Sequence, residues 1–193
     1  MIKTYKKNAK LVLSNGFIFH GFSFGNSGTA VGEIVFNTGM TGYQEVITDP
    51  SYHGQLLTFT YPEIGNTGIN TEDSESSSTV KGIIVRNYSS NNSNWRSLKS
   101  LNQWLVEKNI IGLYGIDTRA LVKILRNNGS MNGLLTSEDI SVEKSLIKIQ
   151  ETPKMEGLNL SKEVSTKQKY LWQKPTETDF DVRKRYSENP YKL

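Results

Sequence analysis

The residues that could do chemistry in this chain are concentrated in residues 36–61. Two apolar runs at the ends of this stretch have the alternation that is typical of strands. Between them lies a dense set of glycines and polar side chains, among them Ser51 and His53. Loops of this kind on a rigid scaffold often carry binding residues. The same residue types also form purely structural turns, which is the interpretation that composition alone favours.

Ser51 is a candidate hydrogen-bonding residue because the two residues before it favour a fixed turn. Asp49 can accept hydrogen bonds from backbone N–H groups at a helix start, and Pro50 suits the first helical position. This arrangement predicts that Ser51 points its hydroxyl and its N–H out of the turn; simple capping or hydration is the alternative. His53 has no second histidine or carboxylate at ligand spacing, so we do not expect it to bind a metal.

No recognisable catalytic centre is present in the sequence. The chain contains no cysteine, which excludes disulfides, thiolate metal sites and a cysteine nucleophile within it. Its two histidines, His20 and His53, are isolated and form no triad motif. The GNSG segment lacks the Lys-Ser/Thr pair that a P-loop needs. Asp117 and Arg119 could suggest catalysis, but a helix cap and a surface ion pair fit them better.

Five long sequence motifs nevertheless resemble one enzyme family, and they occur in that family's order. They cover roughly residues 11–166 and leave only loop-sized gaps between them. On these motifs the chain resembles the N-terminal domain of the small subunit (glutamine amidotransferase chain) of carbamoyl phosphate synthetase. The motifs are GEIVFNTGMTGYQEVITDPSYHGQ, TFTYPEIGNTGIN, NWRS with SLNQWL, GIDTRALVKILRNNGSMNG and GLNLSKEVST.

The resemblance implies a fold and a role for one residue. The expected fold is α/β, a swivelling β/β/α layered domain with an extended C-terminal linker. Ser51, the serine of the TDPSY motif, is expected to bind L-glutamine by reaching across to a neighbouring glutaminase domain. That domain carries the family's Cys-His-Glu triad, which would lie beyond Leu193, so we expect no catalytic residue within this chain.

The resemblance also implies partners. In the family, ammonia from glutamine passes to a large subunit, which uses ATP and magnesium to make carbamoyl phosphate for arginine and pyrimidine synthesis. We therefore expect a large-subunit partner in a heterodimer or higher oligomer, L-glutamine as substrate, and no cofactor or metal in this chain. The rival hypothesis is a truncated, non-enzymatic binding module that holds or regulates the large subunit.

Composition excludes several other classes of protein. No apolar run approaches the ~18 residues of a membrane span. The net charge of +4 is mild and the basic residues are scattered without interleaved aromatics, so we expect no nucleic-acid partner. Residues 1–10 lack the features of a secretory signal or a transit peptide. The composition is also rich in lysine and asparagine. Together these features predict that the protein is located in the plastid stroma, as an organelle-encoded protein, or in the bacterial cytoplasm.

The expected elements divide the chain into three parts. Residues 1–9 form a tail, residues 10–152 the domain, and residues 153–193 a linker toward a glutaminase domain that is absent from this chain. Within the domain we predict about seven short strands and two or three helices. Asn15-Gly16 predicts a hairpin with a type I′ turn, residues 22–32 read as loops, and Ser97 and Asp117 are the expected helix caps.

Overall fold

Nine strands, five α-helices and one 3₁₀ helix form the part of the chain that the computed structural model describes, which is residues 7–77, 79–153, 155, 161–169 and 171. The strands are β1 (Ala9–Leu13), β2 (Ile18–Gly25), β3 (Thr29–Asn37), β4 (Leu56–Phe59), β5 (Glu63–Ile64), β6 (Gly82–Ile84), β7 (Asn87–Tyr88), β8 (Ile111–Tyr114) and β9 (Met131–Thr136). The helices are α1 (Tyr43–Thr48), the 3₁₀ helix η1 (Pro50–Tyr52), α2 (Leu101–Glu107), α3 (Thr118–Asn128), α4 (Val142–Glu151) and α5 (Ser161–Val164).

Seven of the strands close into a barrel in the order β1-β2-β8-β6-β4-β3-β9, and β5 pairs with β7 in a separate small sheet. Closure comes from β9, which pairs antiparallel with both β1 and β3. Because each barrel strand has a neighbour on both sides, the barrel leaves no unpaired edge. Strands β3, β4, β6 and β8 run parallel to one another, so their carboxyl ends share one rim of the barrel.

The hairpin predicted at Asn15-Gly16 joins β1 and β2, but its turn differs from the prediction. The Leu13 N–H donates to the Phe17 carbonyl at 2.9 Å, which leaves three residues in the loop. Only Gly16 has a positive φ, of 88°. A type I′ turn needs positive φ at two successive residues, so the predicted turn type is wrong and the loop matches the three-residue class with glycine at its last position.

Residues 22–32 were expected to form loops, and this expectation is also wrong. Strand β2 continues to Gly25 and β3 begins at Thr29, because both segments find partners far away in the chain. Phe22 is paired with Tyr114 of β8, and Thr29 with Thr136 of β9. Tertiary pairing therefore overrides the local preference of the glycines in this segment.

The barrel interior is filled by side chains from six of its strands, and α3 covers one opening of it. Leu121 and Leu125 of α3 are buried in the same cluster as the interior side chains. A second core lies outside the barrel under α1 and α2, and α4 covers a third, smaller one. The interior set is Leu11, Leu13, Ile34, Leu56, Ile84, Ile111, Leu113 and Leu135.

The helix caps follow the expected chemistry with one exception. Asp117 caps α3 by accepting from the Ala120 N–H at 2.9 Å, as predicted. Helix α2 begins one turn later than predicted, because Ser100 rather than Ser97 forms a reciprocal capping box with Gln103. The Ser97 side chain instead binds the Lys99 carbonyl in the preceding loop.

The mixed α/β character of the chain is confirmed, and the described residues contain more elements than the predicted total of about seven strands and two or three helices. The more specific swivelling layered fold stays a prediction. Most of the expected linker, residues 153–193, lies outside the described residues, and the described part includes α5. Among the residues described, every helix is too short or too polar to traverse a bilayer.

Candidate functional site

The polar stretch between β3 and β4 is more ordered than its sequence indicates, because it contains α1. This six-residue helix follows Gly42 and has no side-chain cap at its start. It was missed from the sequence because the GMTG residues before it favour turns. Four of its residues, Tyr43, Gln44, Ile47 and Thr48, are buried. Helix α1 thus provides a packed base for the residues that follow it.

Gln44 fastens α1 to the loop after β5 through both ends of its amide. Its Nε2 donates to the Asn70 carbonyl at 2.7 Å and to the Ser74 hydroxyl at 2.9 Å. Its Oε1 accepts from the Asn70 N–H at 3.0 Å. The side chain is only 3% exposed. Because a buried amide is costly unless it is bonded, this set of hydrogen bonds holds α1 in one position.

Thr48 makes the same kind of connection at the end of α1. Its hydroxyl donates to the Gln44 carbonyl and accepts from the Glu75 N–H, each at 2.9 Å. Its carbonyl accepts from the Ser76 hydroxyl at 2.8 Å. The acidic, serine-rich loop that contains residues 71–77 is therefore tied along the length of α1 rather than extended into solvent.

Ser51 lies in the turn that the sequence predicted, at the centre of η1. Asp49 Oδ1 accepts from the Ser51 N–H at 2.8 Å, and Pro50 occupies the first helical position. The Asp49 carbonyl also accepts from the Tyr52 N–H at 3.0 Å. The prediction that the Ser51 N–H points outward is wrong, because Asp49 uses it. The Ser51 residue itself is exposed, so its hydroxyl is the group available to a ligand.

The two residues after Ser51, Tyr52 and His53, bind other parts of the chain. The Tyr52 hydroxyl accepts from Asn37 Nδ2 at 3.1 Å, which connects η1 to the end of β3. His53 Nε2 lies 3.3 Å from Glu163 Oε2 of α5. Within the described residues, no hydrogen bond joins the Ser51 hydroxyl to His53.

Burial shifts the pKa values of two ionisable groups on α1. It raises the pKa of Glu45, and the nearby carboxylates of Asp73 and Glu75 raise it further. Burial also raises the pKa of Tyr43, whose hydroxyl donates to the Gly68 carbonyl at 2.6 Å. Tyr43 stays protonated at neutral pH and serves as a structural donor.

A small cavity of about 140 Å³ opens beside the start of α1. It is lined by the loop before α1, including the exposed Met40, and by Tyr61 and the β5 segment. Ser51 does not line it. Across the described parts of the chain, no three histidine or acidic side chains come close enough to hold a metal ion.

Comparison with known proteins gives the chain its family. A family model described as carbamoyl-phosphate synthase small chain, CPSase domain, matches residues 11–135. The match covers more than half of the chain, almost the whole barrel and Ser51. The chain belongs to this family. Its resemblance to the small subunit in sequence is therefore confirmed.

Curated members of the carbamoyl phosphate synthase small chain family show similarity along most of this chain. The Synechocystis sp. small chain is 59% identical over 167 residues, which cover 86% of this chain and 44% of that protein. The Parasynechococcus marenigrum small chain is 48% identical over 189 residues, which cover 97% of this chain and 49% of that protein. The chain thus spans about half the length of the curated relatives it matches. A solved aminopeptidase from Aneurinibacillus sp. aligns with a TM-score of 0.37 and 15% identity, over 69% of this chain and 31% of that one.

Proposed function

We propose that this chain is part of the small chain of glutamine-dependent carbamoyl phosphate synthase, the component that supplies ammonia from glutamine to the large chain. The observation that carries the proposal is the family match across residues 11–135, supported by relatives whose names state this subunit. The product would serve arginine and pyrimidine synthesis. The segment described here would dock the large chain and help to frame the glutamine site.

In this proposal Ser51 binds L-glutamine through its hydroxyl. Its exposure and the fixed backbone of η1 support the role, because a hydrogen-bonding group that is already ordered loses little freedom when a ligand binds. In the family, glutamine hydrolysis uses the cysteine of a Cys-His-Glu triad, and the 193 residues contain no cysteine. The Cys-His-Glu triad would belong to a glutaminase domain joined through residues 153–193.

The remaining chemistry belongs to the large chain, which would use ATP and magnesium. Residues 10–152 would form the swivelling β/β/α domain of the family. The compartment would be the plastid stroma or the bacterial cytoplasm, in line with relatives from cyanobacteria. The rival proposal is a non-enzymatic module that binds the large chain without supplying ammonia.

A chimeric protein tests the proposal directly. Residues 1–166 of this chain would be joined to the remaining portion of the Synechocystis small chain and mixed with the large chain of that enzyme. We expect glutamine-dependent carbamoyl phosphate synthesis that the remaining portion alone does not support. A folded chimera that binds the large chain without restoring glutamine use would favour the binding module. A chimera that does neither would contradict both proposals.

A further inference from the structure

Four cationic side chains gather around one cleft at the rim of the barrel. They are Arg86, Arg119, Lys123 and Arg126, and we call the space between them the basic cleft. Its volume is about 390 Å³, and no acidic side chain lines it. The rest of its lining consists of three threonines, a proline and a valine. All four cationic residues are exposed, so their charged ends are open to a partner.

The charges of the basic cleft are uncompensated within the described residues. No carboxylate lies within 4.0 Å of any of the four cationic groups, and Asp117, next to Arg119 in the fold, is bonded to the Ala120 N–H. Two other Lys or Arg side chains of the described residues are paired with carboxylates. Arg96 contacts Asp73 at 2.6 Å, and Lys99 contacts Glu107 at 2.8 Å. A cluster of like charges reduces stability, and an anionic partner would offset that cost.

The geometry of the basic cleft suits an elongated partner. Arg119, Lys123 and Arg126 are spaced i, i+4 and i+7 on α3, so they form one stripe roughly 10 Å long. The opposite face of α3 is fixed, because Leu121 and Leu125 are buried in the barrel core. Arg86, which follows β6, adds the fourth charge from outside the helix. A row of carboxylates can engage such a stripe, whereas one small anion would reach only part of it.

The lining also distinguishes an acidic protein segment from a nucleic acid. Proteins that bind single-stranded nucleic acid combine basic grooves with aromatic side chains on which bases stack. No aromatic side chain lines the basic cleft. Recognition at the basic cleft would therefore depend on charge. Charge complementarity guides the association of one protein surface with another.

We propose that the basic cleft is the surface on which an acidic segment of the carbamoyl phosphate synthase large chain docks. This inference rests on the proposed function and adds to it the location and the chemistry of the contact. The contact is electrostatic and exposed, so its strength falls as the salt concentration rises.

The test compares two charge reversals with the same spacing and the same change in net charge. The first variant is Arg119→Glu/Lys123→Glu in the basic cleft. The control is Lys144→Glu/Lys148→Glu on α4, where both lysines are exposed and lie outside the cleft. The dissociation constant for the purified large chain is measured at low and at high salt. We expect the first variant to bind about tenfold or more weakly at low salt and to lose most of its salt dependence, and the control to bind within about twofold of the unmodified chain.

Each outcome separates this inference from the proposed function. If the unmodified chain does not bind the large chain, the proposed function fails and this inference fails with it. If the unmodified chain binds and both reversals bind alike, the inference is overturned while the function stands. Tighter binding of a labelled single-stranded DNA, lost in the first variant alone, would also overturn it. Circular dichroism checks folding, and Arg119→Gln/Lys123→Gln replaces the reversal if the reversal does not fold.

Discussion

Ser51 is positioned by hydrogen bonds of the backbone around it. Asp49 Oδ1 accepts a hydrogen bond from the Ser51 N–H at 2.8 Å, and the Asp49 carbonyl accepts one from the Tyr52 N–H at 3.0 Å. Tyr52 is in turn bonded to Asn37 at the end of β3. The hydroxyl of Ser51 is thus presented from a turn that is fixed on both sides. The capped turn was visible in the sequence, because Asp-Pro-Ser is a strong signal for it, but the use of the Ser51 N–H by Asp49 was not predicted.

Removing the Ser51 hydroxyl should weaken the use of glutamine only. In the chimeric enzyme, Ser51→Ala is expected to cost about 0.5–1.5 kcal/mol of glutamine binding, which raises KM about two- to tenfold. Synthesis from ammonia should be unchanged, because ammonia does not need the glutamine site. Ser51→Thr keeps a hydroxyl and should retain most of the affinity. Steady-state kinetics with both nitrogen donors makes the measurement, and an unchanged KM for glutamine in Ser51→Ala would contradict the assignment.

Gln44 should be the most costly polar residue of α1 to truncate. Gln44→Ala leaves the partly buried N–H and carbonyl of Asn70 without their partner and is expected to lower the free energy of unfolding by about 1–3 kcal/mol. The matched control is Gln150→Ala on α4, whose side chain is exposed and should change stability by less than about 0.5 kcal/mol. Urea denaturation gives both values. Equal effects of the two substitutions would show that the amide does not hold α1 in place.

Glu45 should make stability depend on pH just above the ordinary carboxyl range. Burial raises its pKa in the folded chain, so the native state holds the proton more tightly than the unfolded state does. Stability is then highest below the unfolded pKa of about 4.3 and falls as pH rises through the folded pKa. Glu45→Gln removes this titration, so the variant should lose less stability over that interval. Urea unfolding at a series of pH values measures the slope; identical slopes for the two proteins would contradict the shift.

At the scale of elements, strong local signals were predicted correctly and weak ones were not. Asp117 caps α3 as expected, because its N-cap chemistry precedes a clear amphipathic pattern. Helix α1 was missed, because a helix of six residues has almost no periodicity to detect. The start of α2 was placed at Ser97 instead of Ser100, since two serines stand close together and only Ser100 has Gln103 three residues later.

The contact between β2 and β8 depends on a glycine. A Cβ at Gly112 would lie 2.4 Å from the ring of Phe24, which is buried and stacked on Tyr88 with ring centroids 4.4 Å apart. Gly112→Ala should therefore destabilise the fold by about 1–3 kcal/mol through overpacking. Phe24→Leu makes room at this position, so the double variant should lose less stability than the sum of the two single changes. Thermal or urea unfolding tests this, and strictly additive losses would show that the ring does not set the requirement for glycine.

At the scale of the whole molecule, the sequence indicated the strands but not the barrel. Closure depends on β9 pairing with β1 and β3, which lie about a hundred residues away or more, and local patterns carry no information on such partners. The basic cleft was not predicted from the sequence for the same reason, because it depends on residues that are distant in the chain. Its cations were interpreted as scattered, although Arg119, Lys123 and Arg126 already had the spacing of one helix face. Only the fold brings Arg86 to that face.

The central proposal is that this chain docks the large chain of carbamoyl phosphate synthase and does not hydrolyse glutamine by itself. Sedimentation velocity of the 193-residue chain mixed with the purified large chain measures it most directly, with glutamine turnover followed in the same samples. We predict a stable heterodimer that uses ammonia and leaves glutamine intact. Two separate sedimenting species at micromolar concentration, or glutamine hydrolysis by the 193-residue chain alone, would contradict the account.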